Sequence, residues 1–101
     1  MDKYTGKIGE HVFIADGAQL SGPDINIGKD SGIWYNAVLR SSHSSIDIGE
    51  RTNIQDNCVL HAEEGKPISI GHDVTVGHSA IVHACTVGDN TLIGMGAVVM
   101  T

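Results

Sequence analysis

The sequence predicts an all-β solenoid of parallel strands wound as a triangular helix. Three observations predict it. An aliphatic residue recurs about every six positions: Ile8, Ile14, Leu20; Ile27, Ile33, Leu39; Ile48, Ile54, Leu60; Ile70, Val76, Val82; Val87, Ile93, Val99. Small residues often follow it directly, as at Gly9, Ala15, Gly28, Gly49, Gly71, Gly77, Gly88 and Gly94, where a chain can turn a corner. The apolar content is β-branched, with 12 Ile and 9 Val against one Trp, two Tyr and one Phe. No segment keeps a helical i, i+3, i+4, i+7 stripe through three turns.

Each triplet reads as one coil of three short strands with the aliphatic side chain pointing into the prism. A second, smaller column follows four places later. In the first strand of each coil it reads Val12, Ser31, Thr52, Val74, Thr91, and in the second Ala18, Ala37, Cys58, Ala80, Ala97. Successive coils stack at the interstrand spacing of about 4.8 Å. Triplets begin at residues 8, 27, 48, 70 and 87, so about five coils are expected. The steps of 19, 21, 22 and 17 residues place three insertions after the third strand, on one corner. Insertions collected on one side of a repeat protein often mark its binding side. Residues 1–101 read as a single domain. The pattern stops in mid-coil at Val99-Met100-Thr101, which is read as a truncated chain or one capped by a partner.

The net charge is −6, from 6 Lys+Arg and 12 Asp+Glu, and there is no basic run. Binding to nucleic acid or to an anionic membrane is therefore not expected. No apolar run approaches the ~20 residues that cross a bilayer. The start lacks the pattern of a signal peptide, and two cysteines are too few for a disulfide framework, so the chain is read as cytoplasmic. A core this small favours oligomerisation.

Six histidines carry the chemistry: His11, His43, His61, His72, His78 and His83. Outward histidines on a β-helix are by default solvated side chains, and His11 and His72 are read so. In a solenoid, however, columns matter. The residue after the third-strand aliphatic is Ser21, Arg40, His61, His83, Met100, which stacks His61 on His83 one coil apart. Two imidazoles so close can share a metal. His78 precedes His83 by five residues around a corner, an extended path of up to ~17 Å, whereas metal ligands lie ~2 Å from their ion. His78 is therefore not expected at that ion within one chain but could reach it from a neighbouring prism. The expected assembly is a homotrimer with three shared sites. Cys58 lies in the alanine column and reads as a buried small side chain; Cys85 has no nearby partner by spacing.

The repeat resembles the hexapeptide-repeat family of left-handed parallel β-helices. The left hand comes from the resemblance, since general crossover rules favour the right. The segments Arg51-Thr52-Asn53-Ile54-Gln55-Asp56-Asn57, Val59-Leu60-His61, Val76-Gly77-His78 and Val82-His83 are similar to those of the γ-class carbonic anhydrases. The resemblance implies a three-histidine zinc centre, with iron or cobalt as alternatives, built from His61, His78 and His83. Carbonic anhydrases are the standard example of the chemistry it implies: the cation lowers the pKa of a water, which attacks CO₂ to give bicarbonate. It further implies that Gln55 and Asn53 line the pocket, that Arg40 and Asp56 pair across a subunit interface, and that Glu64 moves protons.

Several features depart from the family pattern. Arg40-Ser41-Ser42 stands where Arg-Gly-Asp is common, His43 stands where some members have Glu, and the loop Ala62–Pro67 is short. The family's C-terminal coils and helix have no counterpart. Two other functions fit the fold: a hexapeptide acyltransferase using a histidine as general base, and a metal-binding scaffold subunit with weak or no catalysis. Stoichiometric metal separates the acyltransferase from the other two, and turnover separates those from each other.

Overall fold

In a computed structural model describing residues 4–100, the strands form three parallel sheets, the faces of a prism. Met1–Lys3 and Thr101, included in the single domain expected from the sequence, lie outside the described residues. The first face carries β3 (Ile25–Ile27), β6 (Ile46–Ile48), β9 (Ile68–Ile70) and β12 (Thr86–Val87), with Ile8 bridging to Ile27. The second carries β1 (Phe13–Ile14), β4 (Gly32–Ile33), β7 (Asn53–Ile54), β10 (Thr75–Val76) and β13 (Leu92–Ile93). The third carries β2 (Gln19–Ser21), β5 (Val38–Arg40), β8 (Val59–His61), β11 (Ile81–His83) and β14 (Val98–Val99). Every strand pairing is parallel, and no helix occurs among the described residues. The fold is a left-handed parallel β-helix.

The aliphatic columns stay in register from coil to coil. Ile33 pairs with Ile54, Ile54 with Val76, and Leu39 with Leu60. Twelve of the fifteen predicted aliphatics are buried. Ile8 and Ile14 are 36% and 38% exposed, and Val99 is half-buried. Their register is kept, so the exposure reflects position: they belong to the outermost described coils, which a neighbouring coil covers on one side only. The first face also buries a second column, Ile25, Ile46 and Ile68, two residues before the predicted one.

The small column closes two corners. Ala37, Cys58 and Ala80 are fully buried, as are Thr52 and Val74. Hydroxyls in that column are satisfied along the prism axis. The Ser31 hydroxyl donates to the Gly49 carbonyl at 2.8 Å and accepts the Thr52 N–H at 3.0 Å. Thr52 repeats this one coil on, donating to the Gly71 carbonyl at 2.7 Å and accepting the Val74 N–H at 3.2 Å. Sharp corners need residues in the left-handed region. Most are supplied by side-chain-bearing residues, including Asn36 (φ 60°), Asn57 (φ 63°) and Ser79 (φ 62°) at successive coils of one corner. Glycine is required instead where backbones touch: a Cβ on Gly49 would meet the Gly71 carbonyl at 2.6 Å.

Candidate metal centre

His61 ends β8 and His83 ends β11, and the two are register partners. Strand alternation buries Leu60 and Val82 and turns each following histidine outward. The rings lie edge to face with centroids 5.3 Å apart. Arg40 is the register partner of His61 on the preceding coil, as the column predicts.

Two corner insertions serve this pair. The first, between β5 and β6, brings the Ser42 hydroxyl to 3.1 Å from His61 Nε2, with Ser42 at φ 56°. The second, between β8 and β9, folds Glu63 and Lys66 into a tight antiparallel bridge, with backbone N···O distances of 3.1 and 2.8 Å and Gly65 turning at φ 74°. It places Glu63 Oε2 2.8 Å from His83 Nε2. Burial lowers the pKa of His61, with the positive field of Arg40 and then His83 adding to it; Glu63 opposes. The neutral imidazole, the form that donates a lone pair to a metal, is thereby favoured.

His78 lies in the turn before β11, at the opposite edge of the third face, and is exposed. With Trp34, Tyr35, Gln55 and Asp56 it lines a corner cavity of about 320 Å³. Gln55 thus joins His78, and neither stands with the His61–His83 pair within one chain. Asp56 and Arg40 likewise lie on opposite edges of the third face. Asn53, in β7, accepts a hydrogen bond from Trp34 Nε1 at 3.1 Å, and Trp34 in turn packs at a tilt of 53° against Phe13 with centroids 4.9 Å apart. Glu64 is exposed beyond the Glu63 bridge, and His43 is exposed beside Ser42. Column reasoning located the two stacked histidines. It missed the contacts of Ser42 and Glu63, whose only sequence signal was membership of the insertions at that corner.

A broader groove of about 980 Å³ runs along the first face past Asp24, Asn26, Asp47, Glu50 and His72, away from the pair. Its Asn26 amide is engaged by Asp24 at 2.8 Å and Asp47 at 2.9 Å.

Among the described residues, no three His, Cys, Asp or Glu side chains form a ready-made cation cage. The donor set nonetheless fits a divalent ion in part. Two in-register imidazoles, one of them biased to its neutral form, supply two nitrogens from one chain, and any further donor must come from a second chain or from rearrangement of a neighbouring side chain.

No family model matches the chain. It is 43% identical over 100 residues to a carbonic anhydrase of Geobacillus kaustophilus, covering 96% of this chain and 54% of that protein. It is 46% identical over 99 residues to the mitochondrial gamma carbonic anhydrase 2 of Arabidopsis thaliana, covering 92% of this chain and 35% of that one. The chain thus spans about half the length, or less, of these curated relatives. Among solved structures it matches a hexapeptide transferase family protein from Anaplasma phagocytophilum with a TM-score of 0.74 and 34% identity, covering 97% of this chain and 73% of that one. At 43% and 46% identity over more than nine-tenths of its length, and with its coils in register, the chain belongs to the γ-class carbonic anhydrase-like group of the hexapeptide-repeat family.

Proposed function

We propose that the protein binds a divalent cation at His61 and His83, completed by His78 of a neighbouring copy in a homotrimer, and that it hydrates CO₂ reversibly to bicarbonate. The observation that carries this reading is the in-register stacking of His61 on His83 at one edge of the third face, with His78 at the other. A copy placed face to edge would bring its His78 to the pair. Relatives named carbonic anhydrase at 43% and 46% identity support the reaction class. Zinc is the ion of first choice, and iron(II) and cobalt(II) suit the same nitrogen donors.

When bound, the ion supplies charge that activates water and polarises the substrate. The chain's own residues supply the rest. His61 and His83 present lone pairs from a rigid double rung. Gln55, on the cavity wall beside His78, offers an amide to orient a small polar reactant, and Asn53 is held by Trp34 near that wall. Arg40 adds a positive charge beside His61 that favours an anionic product. Arg40 and Asp56, on opposite edges of the third face, would pair across a subunit boundary. Glu64, exposed on the insertion, would exchange protons with solvent. A reducing cytoplasmic setting accords with Cys58 and Cys85 as free thiols.

The test is metal content together with CO₂ hydration. Purified protein loaded with zinc or iron(II) is expected to hold one ion per chain, and His61→Ala or His83→Ala is expected to abolish both binding and hydration. Stoichiometric metal without hydration above background would leave a metal-binding scaffold. Neither bound metal nor hydration would favour the acyltransferase reading, which the hexapeptide transferase match at 34% identity supports.

A further inference from the structure

The chain's single tryptophan, Trp34, stands outside the prism, and the second face builds a seat for it. Phe13 in β1, Gly32 in β4 and Asn53 in β7 are register partners on three successive coils. Trp34 follows Gly32 by two residues, and its indole lies back over this row. It packs against Phe13 with ring centroids 4.9 Å apart and donates from Nε1 to Asn53 Oδ1 at 3.1 Å. Gly32 is the floor of the seat: a Cβ there would stand 2.8 Å from Trp34 Nε1 and 3.0 Å from Asn53 Oδ1. A glycine inside a strand often marks such a close approach.

An indole N–H can only donate. The atom of Asn53 that faces it is therefore the carbonyl oxygen, and the NH₂ end is the one left to meet a ligand. Strand alternation sets Asn53 and Gln55 outward on either side of the buried Ile54. Trp34 runs beside Gln55 on the neighbouring coil, since its own N–H donates to the Ile54 carbonyl at 2.9 Å, and both line the corner cavity with His78.

We propose that Trp34 is a positioning residue: by holding the Asn53 carbonyl it keeps the NH₂ end of Asn53 as the group presented beside Gln55, so that this wall selects ligands with oxygen acceptors. The role rests on the reading of the Gln55–His78 cavity as the reaction site. A free amide can turn over and offer its carbonyl instead, which repels an anionic oxygen. Held by the indole, it meets such an oxygen with N–H donors.

The experiment is nuclear magnetic resonance on the full chain, where one tryptophan gives one indole N–H signal. In wild type that signal is expected downfield and slow to exchange with solvent. Asn53→Leu removes the acceptor and should move it upfield and speed its exchange by about tenfold or more. Gly32→Ala should do the same through its new Cβ, with Trp34 and Asn53 both intact. Sodium bicarbonate, the probe ligand, is expected to shift the Asn53 side-chain NH₂ pair in wild type. Trp34→Phe keeps a ring but no N–H and should weaken that response by about tenfold, the worth of one hydrogen bond. Phe13→Leu, which takes away the indole's packing partner and leaves the bond, should stay within about twofold of wild type. Far-UV circular dichroism checks that each variant keeps the β-helix. An indole signal unmoved in Asn53→Leu overturns the proposal, as does equal bicarbonate affinity in Trp34→Phe and wild type. An equal loss in Phe13→Leu and Trp34→Phe also overturns it, since packing alone would then account for the effect. If bicarbonate shifts neither the Asn53 nor the Gln55 amide in wild type, the reading of the cavity as the reaction site fails, and the indole signal still decides whether Trp34 holds Asn53.

Discussion

Ser42 and Glu63 each lend one oxygen to one histidine, and both sit in residues added to the six-residue period. The period itself specified the histidines. Once Leu60 and Val82 were assigned to the interior, His61 and His83 had to point outward on stacked coils. An insertion has no such register, so the sequence showed that acids lay near the site but not which one would reach it. Cys58 was legible for the opposite reason: it replaces an alanine in a buried column, and burial raises the pKa of its thiol. A different residue-scale pair gives a pH prediction. Arg51 grips Asp73 on the next coil through Nε at 2.8 Å and Nη2 at 3.1 Å. The hydrogen bond from Arg51, with its charge, lowers the Asp73 pKa. Folding therefore favours the ionised carboxylate. That contribution is complete above the aspartate titration range of the unfolded chain, about pH 4, and is lost as pH falls through the lower native value. Both side chains are well exposed, so the effect is small. Arg51→Met is expected to make the decline of Tm below about pH 4 shallower than in wild type, measured by thermal melts across that range. An unchanged slope would mean that solvent screening erases the pair.

At the scale of the strands, the period shows which residues point inward but not how buried polar groups in the column are satisfied. Ser31 and Thr52 read only as members of the smaller column. In the structure their hydroxyls form a ladder, each joining one coil to the next by donating to a carbonyl and accepting an amide N–H. The corners show a similar limit. Glycine seemed the natural corner residue, yet Asn36, Asn57 and Ser79 take the left-handed conformation, because a short polar side chain tolerates it. The ladder predicts that Thr52→Val, nearly isosteric, destabilises the fold by about 1–3 kcal/mol, since it removes the bond to the Gly71 carbonyl and leaves the buried Val74 N–H without its acceptor. Urea denaturation is the measurement. Thr52→Ser keeps the hydroxyl and should lose less. Equal midpoints for Thr52→Val and wild type would show that the ladder adds nothing beyond packing.

For the whole molecule, the proposed assembly would make the third face serve both stability and function. Its outward row runs Val38, Val59, Ile81 and Val98, β-branched at each of four successive coils, with Ile81 39% and Val98 60% exposed. His61 and His83 border one edge of this row and His78 the other, so a neighbour seated on it would cover the apolar row and complete the histidine set together. The separation of His78 from the pair was legible in the sequence because the period puts His78 before the third strand of its coil and His83 at that strand's end. The exposure of the apolar row between them was not, because a period marks inward positions and does not say how far an outward β-branched side chain is covered. Ile81 occupies the centre of this arrangement, in the same strand as His83 and three residues from His78. Its side chain points outward, so Ile81→Lys leaves Val82 and the core column intact, and the β-helix is expected to survive by circular dichroism. In the proposed homotrimer this position would be covered, and a buried ammonium there is strongly unfavourable. Sedimentation should therefore fall from about three times 10.6 kDa to the single-chain mass of 10.6 kDa. Cation affinity should fall with it, although no histidine has been touched. Mixing the variant with His61→Ala,His83→Ala chains would not restore it, since assembly itself is blocked. If Ile81→Lys remains trimeric with full metal binding, copies meet through another face and His78 has no route to the ion. If it becomes monomeric and still binds tightly, the donors within one chain are sufficient, and the trimer is not part of the site.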